Sequence, residues 1–342
     1  MKRLGIGIIG LGLAVKPHAL ALRELGERAQ VIGGYSPTPE RRRDFERTYS
    51  LPSVDSREAL LADPRVDAVL ILTPPRSHAE LAIEAARAGK HVLLEKPIDV
   101  TFERARAVVD AVEQAGRELG VVFQYRFRPA TATLRKLIEA GELGELLSVS
   151  ASVRWWRPPE YYAQPGRGML ARDGGGVLLT QSIHTLDVML HLAGPVQRVA
   201  AMCRTSPLRK IDTEDIGCAA LQFRSGALGV VDATTVAYPG YPERIDLAGT
   251  KGSAVLEAER LEAHRQGREV LRVEGALAGG GGADPMAFSH EPHRRLIEDF
   301  LDAVETGREP MSSGRSALPV HALIDAMLRS AQQGGTAVAL SA

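Results

Sequence analysis

The sequence predicts an α/β protein, with a doubly wound parallel sheet over residues 1–123. An α/β domain with a mostly antiparallel open sheet is expected over residues 124–342. Three observations lead there. Short apolar runs alternate with helical segments through the first third of the chain. A glycine pair, Gly10 and Gly12, interrupts the first such alternation. After about Gln124 strand-like runs follow one another without helices between them, the mark of antiparallel pairing. At 342 residues the chain also exceeds the usual size of one domain.

Leu4 to Ile9 form a short apolar run that ends at Gly10-Leu11-Gly12, and an Ala- and Leu-rich helix extends to about Leu25. Val31-Ile32-Gly33-Gly34-Tyr35 is a second run, followed by a charged helix through Arg47. Asp55, with Glu58 three residues on, reads as a capping box for a short helix. Val66 to Leu72 is nearly all apolar, as a strand buried on both faces of a parallel sheet must be. Ser77 to Glu80 is a second capping box, and Gly89 is placed to end that helix. His91–Glu95, Phe102–Ala115 and Leu119–Phe123 continue as strand, helix and strand. A helix over Ala130–Ala140 and a long strand over Glu145–Trp156 follow, and Val177 to Leu192 has the periodicity of one helix. Ile216–Phe223 and Ala227–Val236 flank Arg224-Ser225-Gly226 as a hairpin. Gly279–Gly282 reads as a flexible loop, and Pro292–Thr306 and Ala317–Gln332 as closing helices.

Lysine plus arginine and aspartate plus glutamate are equal at 42 each, so no net field attracts nucleic acid or an anionic membrane. Cys203 and Cys218 match neither a disulfide framework nor a zinc spacing and read as isolated buried thiols. The apolar stretch after Met1-Lys2-Arg3 superficially resembles a secretion signal. It is cut by Gly5, Gly7, Gly10 and Gly12, and no small-residue cleavage site follows. No run approaches the roughly 18 apolar residues of a membrane span. These features make a soluble, cytoplasmic protein the expectation.

Gly10-Leu11-Gly12 lies between a strand and a helix, where a dinucleotide fingerprint lies. Glycines there allow a sharp turn and a close approach of backbone to pyrophosphate. The third glycine of the pattern falls at Val15, and Leu13 completes the loop. The second strand ends in Tyr35-Ser36-Pro37-Thr38, without the acid that holds the ribose of NAD. Ser36 and Thr38 can hydrogen-bond a 2′-phosphate and one of Arg41, Arg42 and Arg43 can pair with it, which leans towards NADP or dual use. A solvated helix face is the plain reading of at least some of those arginines.

Glu95-Lys96-Pro97 follows the fourth parallel strand at the carboxyl edge, where ligands bind in open α/β sheets. A lysine there can hold a substrate oxygen. Thr180, His184 and Asp187 are spaced four and three apart, on one helix face, and a histidine is the natural base for a hydroxyl proton. His191, His290, His293 and His321 show that histidine alone is a poor signal, and no paired Cys/His spacing accompanies His184, so no metal is expected. Arg154-Trp155-Trp156-Arg157 and Tyr161-Tyr162 can stack on a ring and pair with an anionic or hydroxyl-rich substrate. Equally, a strand there can bury one tryptophan and leave the other at an oligomer interface.

With these motifs, the sequence resembles the glucose-fructose oxidoreductase/inositol dehydrogenase/rhizopine catabolism (Gfo/Idh/MocA) family over nearly its whole length. The carriers are Gly10-Leu11-Gly12, Thr73-Pro74-Pro75 with His78, Ala88 through Pro97, Gly174-Gly175-Gly176 through His184 and Asp187, Phe300 to Ala303, and Gly307-Arg308-Glu309-Pro310. The resemblance implies an N-terminal Rossmann domain, and a second domain whose sheet often forms a homodimer or homotetramer interface. It implies Lys96 and His184 at the nicotinamide, with Thr73, Pro74, His78 and Glu95 along an NAD or NADP cofactor. The implied reaction is oxidation of a secondary alcohol on a sugar or cyclitol. His184 would take the proton, Lys96 would hold the oxygen, and Asp187 would orient nearby groups. Gln124, Arg126, Trp156, Arg157, Tyr161 and Arg167 join Lys96 and His184 as candidate substrate contacts. Many members carry aspartate where this chain has Thr180, a candidate catalytic residue, which puts the proton relay and the substrate in question. Oxidation of a carboxylated aromatic cis-dihydrodiol, a dinucleotide-sensing regulator and an NAD-using glycosidase are the alternatives.

Overall fold

The computed structural model describes residues 3–277 and 289–340. The expected loop at Gly279–Gly282 lies outside them. The chain divides into two compact units, Met1–Gln124 with Met286–Leu318, and Tyr125–Pro285 with Pro319–Ala342. A boundary at Phe123/Gln124 leaves the helix Glu291–Thr306 in the second domain, whereas the structure gives it to the first.

The first unit alternates β1 (Leu4–Ile9), α1 (Val15–Glu24), β2 (Ala29–Tyr35), α2 (Pro39–Tyr49), β3 (Ser53–Val54), α3 (Arg57–Ala62), β4 (Ala68–Ile71), α4 (His78–Arg87), β5 (His91–Leu94), α5 (Phe102–Gln114) and β6 (Leu119–Val121), as the sequence predicts except for the short β3, which makes the strand before Glu95-Lys96-Pro97 the fifth and not the fourth. The strands form one parallel sheet in the order β3-β2-β1-β4-β5-β6. Strand order reverses between β1 and β4, which places the topological switch point at their carboxyl ends. β1, β4 and β6 are buried along their whole length because helices cover both faces of such a sheet. Ile297, Phe300 and Leu301 of Glu291–Thr306 close that core against Ile6, Leu22 and Leu70. Arg28 adds ion pairs to Asp302 at 2.6 Å and Glu305 at 3.1 Å.

Two caps differ from expectation. Ser56, not Asp55, caps α3 by accepting from Ala59 N at 3.1 Å, since its shorter side chain reaches back over the first turn. Ser77 does not cap α4 at all. Its hydroxyl donates to Pro74 O at 2.8 Å and lies 2.8 Å from Thr73 Oγ1, beside a preceding single turn of 3₁₀-helix at Pro75–Ser77.

The second unit contains α6 (Pro129–Glu139), β7 (Leu146–Arg154), α7 (Pro159–Tyr162), α8 (Leu170–Asp173), α9 (Val177–Thr180), α10 (Ile183–Ala193), β8 (Val196–Arg204), β9 (Ile216–Phe223), β10 (Leu228–Thr234), β11 (Arg244–Gly249), β12 (Gly252–Glu257), β13 (Arg260–Arg265), β14 (Leu271–Val273) and β15 (Val338–Ala339). They form one sheet in the order β14-β13-β12-β11-β7-β10-β9-β8-β15. Every neighbour is antiparallel except β7 and β10. The hairpin at Ser225-Gly226 is as expected, with Gly226 at φ 95°. The single helix expected over Val177–Leu192 is broken at Gln181-Ser182, so Thr180 ends α9 while His184 and Asp187 share α10. The cysteines are not buried as expected: Cys203 is half-buried and Cys218 exposed, on neighbouring strands. Among the described residues no helix is long and apolar enough to cross a membrane.

Candidate active site

The loop after β1 is built for a close approach. Gly10 sits at φ 104°, and a Cβ there would lie 2.7 Å from the carbonyl carbon of Leu72, so the chain's own backbone requires glycine. Gly12 differs, because a Cβ there would meet nothing within 4 Å. Nothing in this chain's packing calls for its glycine. Leu13 beside it is 74% exposed. α1 then begins without a side-chain cap and without an acid in its first turn, so its orphan N–H groups suit an anion.

At the end of β2, Ser36 is buried and its hydroxyl accepts from Thr38 N at 3.3 Å. Arg41, expected to face the adenosine ribose, is exposed on α2. Its neighbour Arg42 is the one that reaches back, donating to Ser36 O at 2.6 Å and pairing with Asp55 at 2.8 Å. The first turn of α2 carries Arg42 on the face towards β2.

Glu95-Lys96-Pro97 leaves β5 in a turn held from two sides. Glu95 accepts from Lys96 N at 3.0 Å and pairs with His18 Nε2 at 3.0 Å. Burial raises the Glu95 pKa, but His18, Lys96 and His293 outweigh it and hold the carboxyl below its ordinary value. His293 packs edge-on to His18 at 4.9 Å, and donor atoms of the three side chains all lie within 4.8 Å. His78 is fully buried and places one ring nitrogen 2.8 Å from Pro97 O and the other 2.8 Å from Thr73 O. Burial pulls its pKa down, while the two carbonyls favour the protonated ring. His78, expected along the cofactor, spends its ring nitrogens on the backbone and so clamps Thr73-Pro74 to Lys96-Pro97. Thr73 is half-buried and Pro74 exposed.

In the second unit His184 is buried and its ring stacks on Tyr125 at 4.6 Å and 23°. Burial pushes the Tyr125 hydroxyl up to about 12, with Glu243 adding and Arg128 opposing. Arg128 lies 3.3 Å from the Tyr125 ring centre and donates to Glu243 at 2.8 Å. One turn along from His184, Asp187 accepts both arms of Arg126, at 2.8 and 2.6 Å, with both residues buried. Arg126, expected as a substrate contact, thus spends Nε and Nη2 on Asp187 and holds α10 in place. The Thr180 hydroxyl donates back to Gly176 O at 2.7 Å and also meets the Gln181 side chain.

Aromatic and arginine side chains gather nearby. Gln181 donates to Tyr161 OH at 3.2 Å. Arg167 lies over Tyr161 and pairs with Asp173 at 3.3 Å. Arg209 lies over Trp156 and Tyr162 and pairs with Asp215 at 3.1 Å. Arg157 lies over Trp155 and Tyr161. Trp155 is buried, and Trp156 is half-buried edge-on to Tyr238 at 5.6 Å. Gln124 is buried with its Oε1 unpartnered.

Sequence reasoning missed His18, His293, Tyr125 and Arg209. His18 and His293 meet across 275 residues of chain, and no local pattern marks such a meeting. Tyr125 had a signal, since it directly follows the residue chosen as the domain boundary.

Comparison with known proteins fits this geometry. Residues 4–123 match the family profile described as "Oxidoreductase family, NAD-binding Rossmann fold", and residues 131–255 match the "GFO/IDH/MocA C-terminal domain". Inositol 2-dehydrogenase of Rhizobium meliloti (strain 1021) is 30% identical over 334 residues, covering 95% of this chain and 96% of the relative. The WlbA dehydrogenase of Bordetella pertussis, in complex with NADH and UDP-GlcNAcA, superposes with a TM-score of 0.84 at 32% identity, covering 100% of both chains. Levoglucosan dehydrogenase, in complex with NADH and levoglucosan, gives a TM-score of 0.89 at 26% identity, again over 100% of both. The chain belongs to the Gfo/Idh/MocA family of oxidoreductases.

Proposed function

We propose that this chain is a cytoplasmic NAD(P)-dependent dehydrogenase that oxidises a secondary alcohol of a sugar, sugar derivative or cyclitol. The observation that carries the reading is the double restraint on the Lys96-Pro97 turn, with Glu95 on the N–H of Lys96 and His78 on the carbonyl of Pro97. The two nearby groups that fix this turn spend buried polar side chains on a single lysine at the carboxyl edge of the sheet. The relatives named for inositol and levoglucosan support the substrate class.

The residues present fit a dinucleotide: Gly12 leaves open space, α1 offers an uncapped N-terminus, and Leu13 presents an apolar surface. When bound, that group supplies the hydride acceptor. His184 takes the hydroxyl proton as the carbonyl forms, its ring held by the stack on Tyr125. Lys96 donates to the substrate oxygen and holds the negative charge that builds there. Asp187 keeps α10, and with it His184, in register through Arg126. Ser36 in place of an acid, with Arg42 beside it, favours use of NADP alongside NAD.

Lys96→Met tests the reading. Turnover should fall by roughly 10²-fold or more while NADH affinity stays within about threefold. Unchanged turnover would sink the assignment. We also infer a homodimer or homotetramer. The outer face of the nine-stranded sheet exposes Met202, Leu228 and Val230, with Cys218 and Ala220 between them. Val230→Glu should shift the mass measured by light scattering to that of the monomer, and an unshifted oligomer would remove this face from the interface.

A further inference from the structure

We propose that the substrate of this enzyme carries a carboxylate, and that Arg157 is the residue that reads it. This deepens the dehydrogenase reading and rests on it. Of the three arginines gathered over the aromatic cluster, Arg167 and Arg209 each have an aspartate partner. Arg157 does not. The residue is 9% exposed, its Nε is buried without a partner, and, among the described residues, its guanidinium makes no hydrogen bond and no ion pair. Its guanidinium lies over two ring faces, Trp155 at 4.8 Å and Tyr161 at 5.4 Å.

A buried cation without an acid is costly, and ring faces compensate only part of the loss. They attract the charge but leave the buried Nε–H without an acceptor in the plane of the guanidinium. The cost shows in the Arg157 pKa, which burial pulls below the ordinary arginine value, with Arg167 adding to the effect and the three tyrosines Tyr161, Tyr162 and Tyr125 opposing it. A structural arginine in this position would be expected to have the partner that Arg128 has in Glu243, or Arg126 in Asp187. The missing acid is best supplied by a ligand.

The location fits. Tyr161, on which Arg157 lies, accepts from Gln181, and Gln181 follows Thr180 immediately before the helix of His184. Tyr125, which stacks on His184, lies within the electrostatic reach of Arg157. The unpaired cation is therefore on the side of this unit that carries the expected base. A neutral polyol can accept N–H groups but cannot neutralise the charge. A carboxylate does both, and its two oxygens match the guanidinium fork.

The test uses matched pairs that differ only at one carbon: D-glucuronate with D-glucose, and D-galacturonate with D-galactose, each with NAD and NADP. The full-length enzyme should prefer the acid of at least one pair by roughly tenfold or more in kcat/KM, in the range a desolvated charge pair commands. Arg157→Met should lower that acid-to-neutral ratio by roughly tenfold or more, and Arg157→Lys should restore part of it. Preference for the neutral member, or a ratio that Arg157→Met leaves unchanged, overturns the proposal. A second arm does not need turnover. NADH-loaded wild type should be stabilised thermally by the acid more than by its neutral partner, and Arg157→Met should lose the difference. Equal stabilisation by both overturns the proposal. Absence of turnover across the panel with an intact binding difference counts instead against the dehydrogenase reading. Circular dichroism of both variants separates loss of recognition from loss of fold.

Discussion

Gly10 and Gly12 look equivalent in the sequence but should respond to alanine in opposite ways. At Gly10 an alanine must adopt φ 104° and place its Cβ 2.7 Å from Leu72 C and 2.9 Å from Thr73 N. Backbone strain of that kind costs about 1–3 kcal/mol and forced overpacking against rigid backbone about 1–3 more. With about 2–4 °C lost per kcal/mol in a domain of this size, the melting temperature of cofactor-free Gly10→Ala should fall by roughly 4–24 °C. At Gly12 the same methyl meets nothing within 4 Å. Cofactor-free Gly12→Ala should therefore melt within about 2 °C of wild type. Its NADH affinity, followed by fluorescence titration, should nevertheless weaken by about tenfold or more, equivalent to ~1.4 kcal/mol, because the methyl occupies space that the pyrophosphate needs. Wild-type affinity in Gly12→Ala would refute the placement of the cofactor at this loop. An unchanged melting temperature in Gly10→Ala would refute the conformational argument.

Three further outcomes follow from buried charge and from the cofactor loop. Asp187→Ala should destabilise the protein by about 3–5 kcal/mol in urea unfolding, because it strands the Arg126 guanidinium, whereas Asp187→Leu with Arg126→Met should lose much less. His191 has its pKa pushed down to about 4 by burial and by Arg126 and Arg135. The unfolded chain takes up that proton near pH ~6.5, so His191 should cost stability progressively as pH falls from about 6.5 towards 4, and His191→Gln should flatten the melting-temperature curve over that window. An identical slope in both proteins would remove His191 from the account. Ser36→Asp should lower the NADP-to-NAD ratio of kcat/KM by at least about tenfold, since a carboxylate accepts from a ribose hydroxyl and repels a 2′-phosphate. A ratio unmoved by the substitution would take Ser36 out of cofactor choice.

The fold was legible to the extent that it depends on local patterns. The alternation of runs in the first 123 residues, the change of rhythm near Gln124 and the hairpin at Ser225-Gly226 are all features of short stretches, and the sheets follow them. Caps were harder, because Asp55 and Ser56 are both good cap residues and only the backbone geometry of Ser56 chooses between them. The helix of His184 was read one turn too long, since Gln181 and Ser182 keep helical dihedrals while the hydrogen bonding shifts to Ser182 N with Val177 O. In the candidate site, residues with motif context such as Gly10, Glu95 and Lys96 could be named from sequence. What each does was less visible. His78 became a clamp and Arg126 a strut because their partners, Pro97 O and Asp187, lie 19 and 61 residues away. Spacing along one chain cannot reveal which of several arginines has found an acid, and that is what singles out Arg157.

The membership of Glu291–Thr306 in the first unit has a consequence for synthesis. Ile297, Phe300 and Leu301 cover Ile6, Leu22 and Leu70, and Ser312 O accepts from Val121 N at 2.7 Å. A nascent chain that has emerged only as far as β14 already holds every strand of the first sheet, yet leaves this apolar face open to solvent. Completion of the nucleotide-binding half thus waits for some of the last residues made. An expression product ending at Phe123 should aggregate, while one in which residues 289–318 are joined back by a flexible linker should be soluble and retain NADH binding.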